Sequence, residues 1–137
     1  MKGSCEVNFI NHVGVAIRDM EQSLEFFWET FGIRPSEVVD MPDQGVQVSL
    51  LSLGETRLEL LQPLGSDTSV GRFIERRGEG LHHLAFNVGD ASRSLECVKA
   101  KGLDVIDEVP RIGVSGLIAF IQPRSVHGIL TELVETV

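Results

Sequence analysis

The chain has 137 residues, 42% of them apolar and 23% charged, which fits one soluble globular domain of ordinary core size. Its formal net charge of −8 argues against a broad nucleic-acid-binding face, since such a face needs a basic field. No apolar run approaches the length of a membrane span, and the opening MKGSCEVNF lacks the apolar h-region of a secretory signal. Cys5 and Cys97 sit in no CxxC or Cys/His cluster, which excludes a thiolate zinc site. A single disulfide between them is possible, with a reducing compartment as the simpler reading.

In chain order, Val13, Val15 and Ile17 alternate with small or polar residues, as in a strand with one apolar face. Asp19 then stands as an N-cap for a helix over 20–31, with Leu24, Phe27, Trp28 and Phe31 at helical spacing and Gly32 as its stop. Three short apolar runs follow near 36–41, 45–53 and 56–62, divided by turns at Asp43-Gln44-Gly45 and Gly54-Glu55. Residues 64–80 are a connection, in which Asp67-Thr68-Ser69 can cap a short helix through Phe73 and Ile74 to Arg77, with Gly78 and Gly80 beyond it. From residue 81 the pattern begins again. HVGVAIRDMEQSLE at 12–25 overlies HLAFNVGDASRSLE at 83–96 at an offset of 71, with His12/His83, Asp19/Asp90, Ser23/Ser94, Leu24/Leu95 and Glu25/Glu96 identical. A second helix carrying Leu95 and Val98 stops at Gly102, and apolar runs near 104–109, 117–122 and 128–135 complete the copy. The far ends match too, with Glu59 falling on Glu132 at an offset of 73. The chain is expected to be one domain of two βαβββ modules, about 8–63 and 81–136, joined by a linker helix within 64–80.

Four polar residues stand where apolar ones belong. By strand parity, His12, Gly14 and Ala16 share the face away from the helix, and so do His83, Ala85 and Asn87. Small residues follow each histidine and leave room beside it. Glu59 and Glu132 lie inside the apolar runs LELL and LTELV, where a lone carboxylate loses several kcal/mol on desolvation unless paired or ligated. A single strand histidine is more often a satisfied residue than a ligand, and a single strand glutamate usually faces water. All four positions obey the repeat, and that turns the pattern toward a metal site. Two imidazoles and two carboxylates with open positions suit Co, Mn, Fe, Ni or Zn better than Ca. His82 is one step out of register and is expected on the helix side. His127 precedes Gly128 in a loop and is expected to be solvated.

The doubled pattern with His, Glu, His, Glu resembles the vicinal oxygen chelate superfamily, from about Asn11 to Glu135. Within it, NHVGVAIRDMEQSLEFF, the DQGV turn, ELLQPLGSDTSVGRFIERRGEGLHHLAFNV and RIGVSG followed by GILTEL resemble the methylmalonyl-CoA epimerase family. The resemblance implies an α+β fold, two βαβββ modules in tandem forming a half-open eight-stranded sheet around a metal site. It implies a divalent metal (Co, Mn, Ni or Zn) on His12, Glu59, His83 and Glu132, with the Glu59 position glutamine in some members and glutamate in others. It implies proton transfer at the carbon α to a thioester, with Glu132 as first base and Glu59, a metal-bound water or Gln47 as its partner. Gln47, Arg111, Gln122 and Arg124 are expected to bind the acyl-CoA substrate, with Arg72, Arg76 and Arg77 as further cations for its phosphates. A homodimer, and a cytoplasmic or mitochondrial-matrix location, go with the family, as does the absence of nucleic-acid and membrane partners.

The chain departs from the family at several points. It has Gln122-Pro123-Arg124 for His-Pro-Lys, Val114 for a small residue, Leu117 for a polar or basic one, and no acid in Val46-Gln47-Val48-Ser49, where some members carry one. These departures leave three rival expectations. One is a glyoxalase I-like lyase acting on a glutathione adduct. Another is a non-catalytic small-molecule-binding protein of the same fold, although such proteins typically lack the full quartet. An extradiol dioxygenase is disfavoured, because four filled ligand positions leave less room for substrate and oxygen.

Overall fold

The structure, a computed structural model, describes residues 5–136; the first four residues of the stretch read for a leader lie outside them. The chain divides into two compact units, one spanning His12–His82 and the other made of the residues up to Asn11 together with those from His83 onward.

The first unit opens on β1 (Ile10–Ala16) and α1 (Met20–Phe31) and continues with β2 (Val39–Met41), β3 (Val46–Leu53) and β4 (Thr56–Pro63). Asp19 caps α1 by accepting the Gln22 N–H at 3.0 Å, and Gly32 closes it. The strands are hydrogen-bonded in the order β2-β3-β4-β1, with β1 and β4 parallel and the others antiparallel. One sheet face carries Leu51 and Leu60, which pack with Ile17 and Met20 against Leu24 and Phe27 of α1. Leu51 and Leu60 are fully buried, worth about 1.5–3 kcal/mol each relative to exposure. The helix α2 (Ser69–Arg77) follows, capped by Thr68, whose hydroxyl oxygen accepts the Gly71 N–H at 3.0 Å.

The second unit repeats the plan with β5 (Gly80–Asn87), which begins in the first, then α3 (Ala91–Ala100), β6 (Arg111–Gly113), β7 (Gly116–Ile121) and β8 (Thr131–Thr136). Its order is β5-β8-β7-β6, with β5 and β8 parallel. Each strand thus stands where its counterpart stands in the first unit. The helix anchors repeat as well. Asp90 caps α3 through the Arg93 N–H. The Gln62 side chain accepts the Met20 N–H at 2.7 Å, and Glu135 accepts the Ala91 N–H at 2.8 Å. The core against α3 is Val88, Ala91, Leu95, Val98, Ala119, Ile121 and Leu133. Ala85, Ile118, Val134 and Phe120 gather on the opposite face of the sheet.

Two expectations are corrected. The run at 104–109 is not a strand: Val105 makes one isolated bridge to Ile121, and the strand lies at 111–113. The stretch touches the end of β7 through scattered backbone bonds, the Ile106 N–H donating to the Phe120 carbonyl at 2.8 Å, while the Phe120 N–H is taken by the Asp107 side chain at 2.8 Å. Of the two states left open for Cys5 and Cys97, the structure has the disulfide and not the simpler reduced one, with Cα atoms 5.5 Å apart.

Candidate metal centre

In the first unit, Gly14 of β1 lies opposite Glu59 of β4, so Glu59 and His12 share a face with no side chain between them. His12 Nε2 stands 3.6 Å from Glu59 Oε2. His12 is fully buried and Glu59 is 7% exposed. On its other flank Glu59 faces Leu50 of β3. A carboxylate in this setting is held only by strong polar partners, because its desolvation costs several kcal/mol.

The second unit makes the same arrangement. Ala85 of β5 lies opposite Glu132 of β8, and His83 Nε2 is 3.1 Å from Glu132 Oε1. Both residues are buried. Phe120 of β7 takes the place that Leu50 holds in the first unit, directly across from Glu132. Its ring lies edge-on to His83 with centroids 5.5 Å apart, which limits how the imidazole can turn. Each unit therefore presents a buried imidazole–carboxylate pair on the sheet face away from its helix. Imidazole nitrogen and carboxylate oxygen are the donors borderline divalent metals prefer, and a buried Glu beside a buried His in an apolar sheet fits that use.

The other sequence-predicted site residues fall in different places. Gln47 lies opposite Gln62 and Asp40, in the register that alternates with Glu59–Leu50. It is on the α1 side of the sheet, so its reading as a proton relay or substrate contact next to Glu59 is withdrawn. Strand alternation is the cause: one step along a strand reverses the face. Arg111 lies over the Phe120 ring, 5.7 Å from its centroid, and its Nε donates to Asp107 Oδ1 at 3.0 Å. Gln122 is half-buried at the end of β7, its backbone N–H donating to the Asp104 carbonyl. Arg124 is exposed and its Nε donates to Asp104 Oδ2 at 3.0 Å. His82 packs edge-on against Phe73 of α2 with centroids 4.9 Å apart, and Arg77 lies over the same Phe73 ring. His127 is exposed in the loop before β8 with φ of 53°. Phe120 and Asp107 were missed by sequence reasoning. Phe120 was hidden in an apolar run, and Asp107 inside a stretch taken for a strand.

The family model described as Glyoxalase/Bleomycin resistance protein/Dioxygenase superfamily matches residues 11–120. The mitochondrial methylmalonyl-CoA epimerase of Mus musculus is 36% identical over 126 residues, covering 90% of this chain and 71% of its own. A Streptomyces coelicolor methylmalonyl-CoA epimerase variant in complex with 2-nitronate-propionyl-CoA superposes with a TM-score of 0.91 at 33% identity, covering 96% of both chains. The Mycobacterium tuberculosis methylmalonyl-CoA epimerase superposes with a TM-score of 0.92 at 28% identity, covering 100% of this chain and 93% of that one. Among the described residues no helix is long and apolar enough to cross a membrane. Two copies of one βαβββ plan, the buried His–Glu pair in each and these likenesses agree: the chain belongs to the methylmalonyl-CoA epimerase family of the glyoxalase/bleomycin resistance/dioxygenase superfamily and is an isomerase.

Proposed function

We propose that this enzyme epimerises methylmalonyl-CoA, and that His12, Glu59, His83 and Glu132 together hold one divalent ion, of Co, Mn, Ni or Zn. The observation that carries the reading is the pair of repeat-equivalent buried His–Glu contacts. The substrate follows the names of the relatives. The reading needs the two modules, with the connection through α2, to work as one domain, and we propose that with it.

The α-proton of methylmalonyl-CoA lies between a thioester and a carboxylate. Its removal leaves an enolate, whose charge is the main barrier. The bound ion would supply Lewis-acid stabilisation of that charge. The chain's own residues do the rest. Glu132 enters ionised and takes the α-proton on a carboxylate oxygen, while Glu59, its repeat equivalent, enters protonated and gives its own proton to the opposite face; the reverse epimerisation starts from the protonation states so exchanged. Phe120 keeps the His83 ring fixed and, with Ala85 and Ile118, keeps water from the reacting carbon. Arg111, Gln122 and Arg124 are the substrate-binding residues this reading retains. The family likeness also supports a homodimer and a cytoplasmic location, or a mitochondrial-matrix one for a chain processed on import.

The test starts from one epimer of methylmalonyl-CoA and protein loaded in turn with Co, Mn, Ni or Zn. Circular dichroism should change to the constant value of the equilibrated epimers with at least one metal and stay at its starting value with EDTA. Constant ellipticity with every metal, together with turnover of methylglyoxal plus glutathione, would replace this reading with a glyoxalase-like lyase. Substrate binding without turnover of either would make the protein a carrier.

A further inference from the structure

One carboxylate in the second unit, to which the reaction above gives no role, ties Arg111 to Phe120 and through that ring to His83. Asp107 Oδ1 accepts Arg111 Nε at 3.0 Å, while Asp107 Oδ2 accepts the Phe120 backbone N–H at 2.8 Å. The Arg111 guanidinium lies over the Phe120 ring, and that ring abuts the proposed metal ligand His83. The Asp107 side chain is 14% exposed and that of Arg111 is 43% exposed. The pair is therefore anchored at its base and open at its tip. Holding an arginine by Nε leaves its two Nη groups as a planar fork, which matches the two oxygens of a carboxylate or phosphate. The stack on Phe120 adds a cation–π attraction and fixes the plane of that fork. Ordering a free arginine on ligand binding costs rotamer entropy, and here that ordering is done before the ligand arrives.

We propose that Asp107 is a positioning residue that sets Arg111 on Phe120 as the anion-binding arm of the site. The fork takes an anionic oxygen group of the acyl-CoA, either its free carboxylate or a coenzyme phosphate. This deepens the epimerase reading and rests on it for the identity of the ligand. Because the anion is not the reacting atom, the fork binds ground state and transition state alike. Its loss acts on KM and leaves kcat near the wild-type value.

The experiment measures affinity for coenzyme A, propionyl-CoA and methylmalonyl-CoA by calorimetry on metal-free protein, and KM and kcat on metal-loaded protein. The variants are Asp107→Asn, Asp107→Glu, Arg111→Ala and the double Asp107→Asn/Arg111→Ala. An asparagine oxygen still accepts the Phe120 N–H, so Asp107→Asn keeps the backbone tie, and unchanged melting confirms it. Asp107→Asn and Arg111→Ala should each weaken binding about tenfold, the double variant should be no weaker than Arg111→Ala, and Asp107→Glu should recover part of the loss. Loss confined to methylmalonyl-CoA identifies the carboxylate as the anion, and equal loss for all three probes identifies a phosphate.

Wild-type affinity in Asp107→Asn, or an equal further loss when it is added to Arg111→Ala, would overturn the proposal. So would a wild type that binds none of the three probes. Failure of the epimerase reading looks different: the wild type then epimerises nothing, whatever the binding pattern.

Discussion

Gly116 opens β7 between two strands, paired with Gly113 of β6 and Thr136 of β8. Its φ is 137°, and a Cβ there would lie 2.2 Å from the Glu135 carbonyl oxygen and 3.3 Å from Thr136 Cα. Those atoms are backbone, so no side-chain rotation relieves the clash and the end of β8 must move. The backbone strain of a non-glycine residue in this region is about 1–3 kcal/mol. Displacing Glu135 also endangers its hydrogen bond to the Ala91 N–H, about 1–2 kcal/mol more. Gly116→Ala should therefore cost about 2–5 kcal/mol. Gly54, in the β3–β4 turn, is the internal control. Its φ is 64°, and a Cβ there meets nothing within 4 Å. Gly54→Ala should cost only the left-handed penalty, about 1–2 kcal/mol. Urea denaturation of both variants, read by far-UV circular dichroism, gives the two costs. Equal costs would refute the argument that backbone proximity, and not φ alone, requires glycine at 116.

Three other outcomes follow from the packing. Gln62→Ala should lower stability by about 1 kcal/mol, and Glu135→Ala by about 1.5–3 kcal/mol because its acceptor is charged and sits at a helix N-terminus; thermal melts compare the two. The Cys5–Cys97 bond spans a separation of 92 residues, so by the chain-entropy account reduction should cost about 4–5 kcal/mol, and coincident urea curves with and without dithiothreitol would contradict that. Hydrogen bonds from Lys99 to Glu96 and then Glu108 raise the pKa of its ammonium above the ordinary lysine range. The stabilisation is complete below the unfolded-state pKa and is lost as pH rises through the folded one. Lys99→Met should thus be less stable than wild type at neutral pH, with the gap closing only in strong alkali, as urea curves across pH would show.

The repeat made much of this legible. Identical spacing placed Asp19 and Asp90 as caps, and both cap as expected. Strand parity placed His12 with Gly14 and His83 with Ala85, and the small neighbour in each pair is what lets the carboxylate of the next strand approach. Other features depended on contacts distant in sequence. A side-chain acceptor such as Gln62 or Glu135 looks like any polar residue at a strand end until the helix it anchors is placed beside it. Val105 to Val109 carries an apolar pattern that local reasoning takes for a strand, yet Asp107 spends its carboxylate on Phe120 and Arg111, and the strand forms after Pro110. Gln47 was offered on the family resemblance alone, and the register of β3 against β4 decides its face. The count of two cysteines allowed one disulfide, Cys5 to Cys97, but a separation of 92 residues carries no spacing signal that would have chosen it over two thiols.

The central claim is that a metal held by the His–Glu pairs lets Glu132 exchange the α-proton of methylmalonyl-CoA. Proton NMR in D2O tests it most directly, on metal-loaded wild type, on the same protein with EDTA, and on metal-loaded Glu132→Ala. The account predicts that the α-proton signal disappears with the loaded wild type and persists in the other two samples. Persistence with the loaded wild type across Co, Mn, Ni and Zn, or exchange that survives in Glu132→Ala at the wild-type rate, would contradict it.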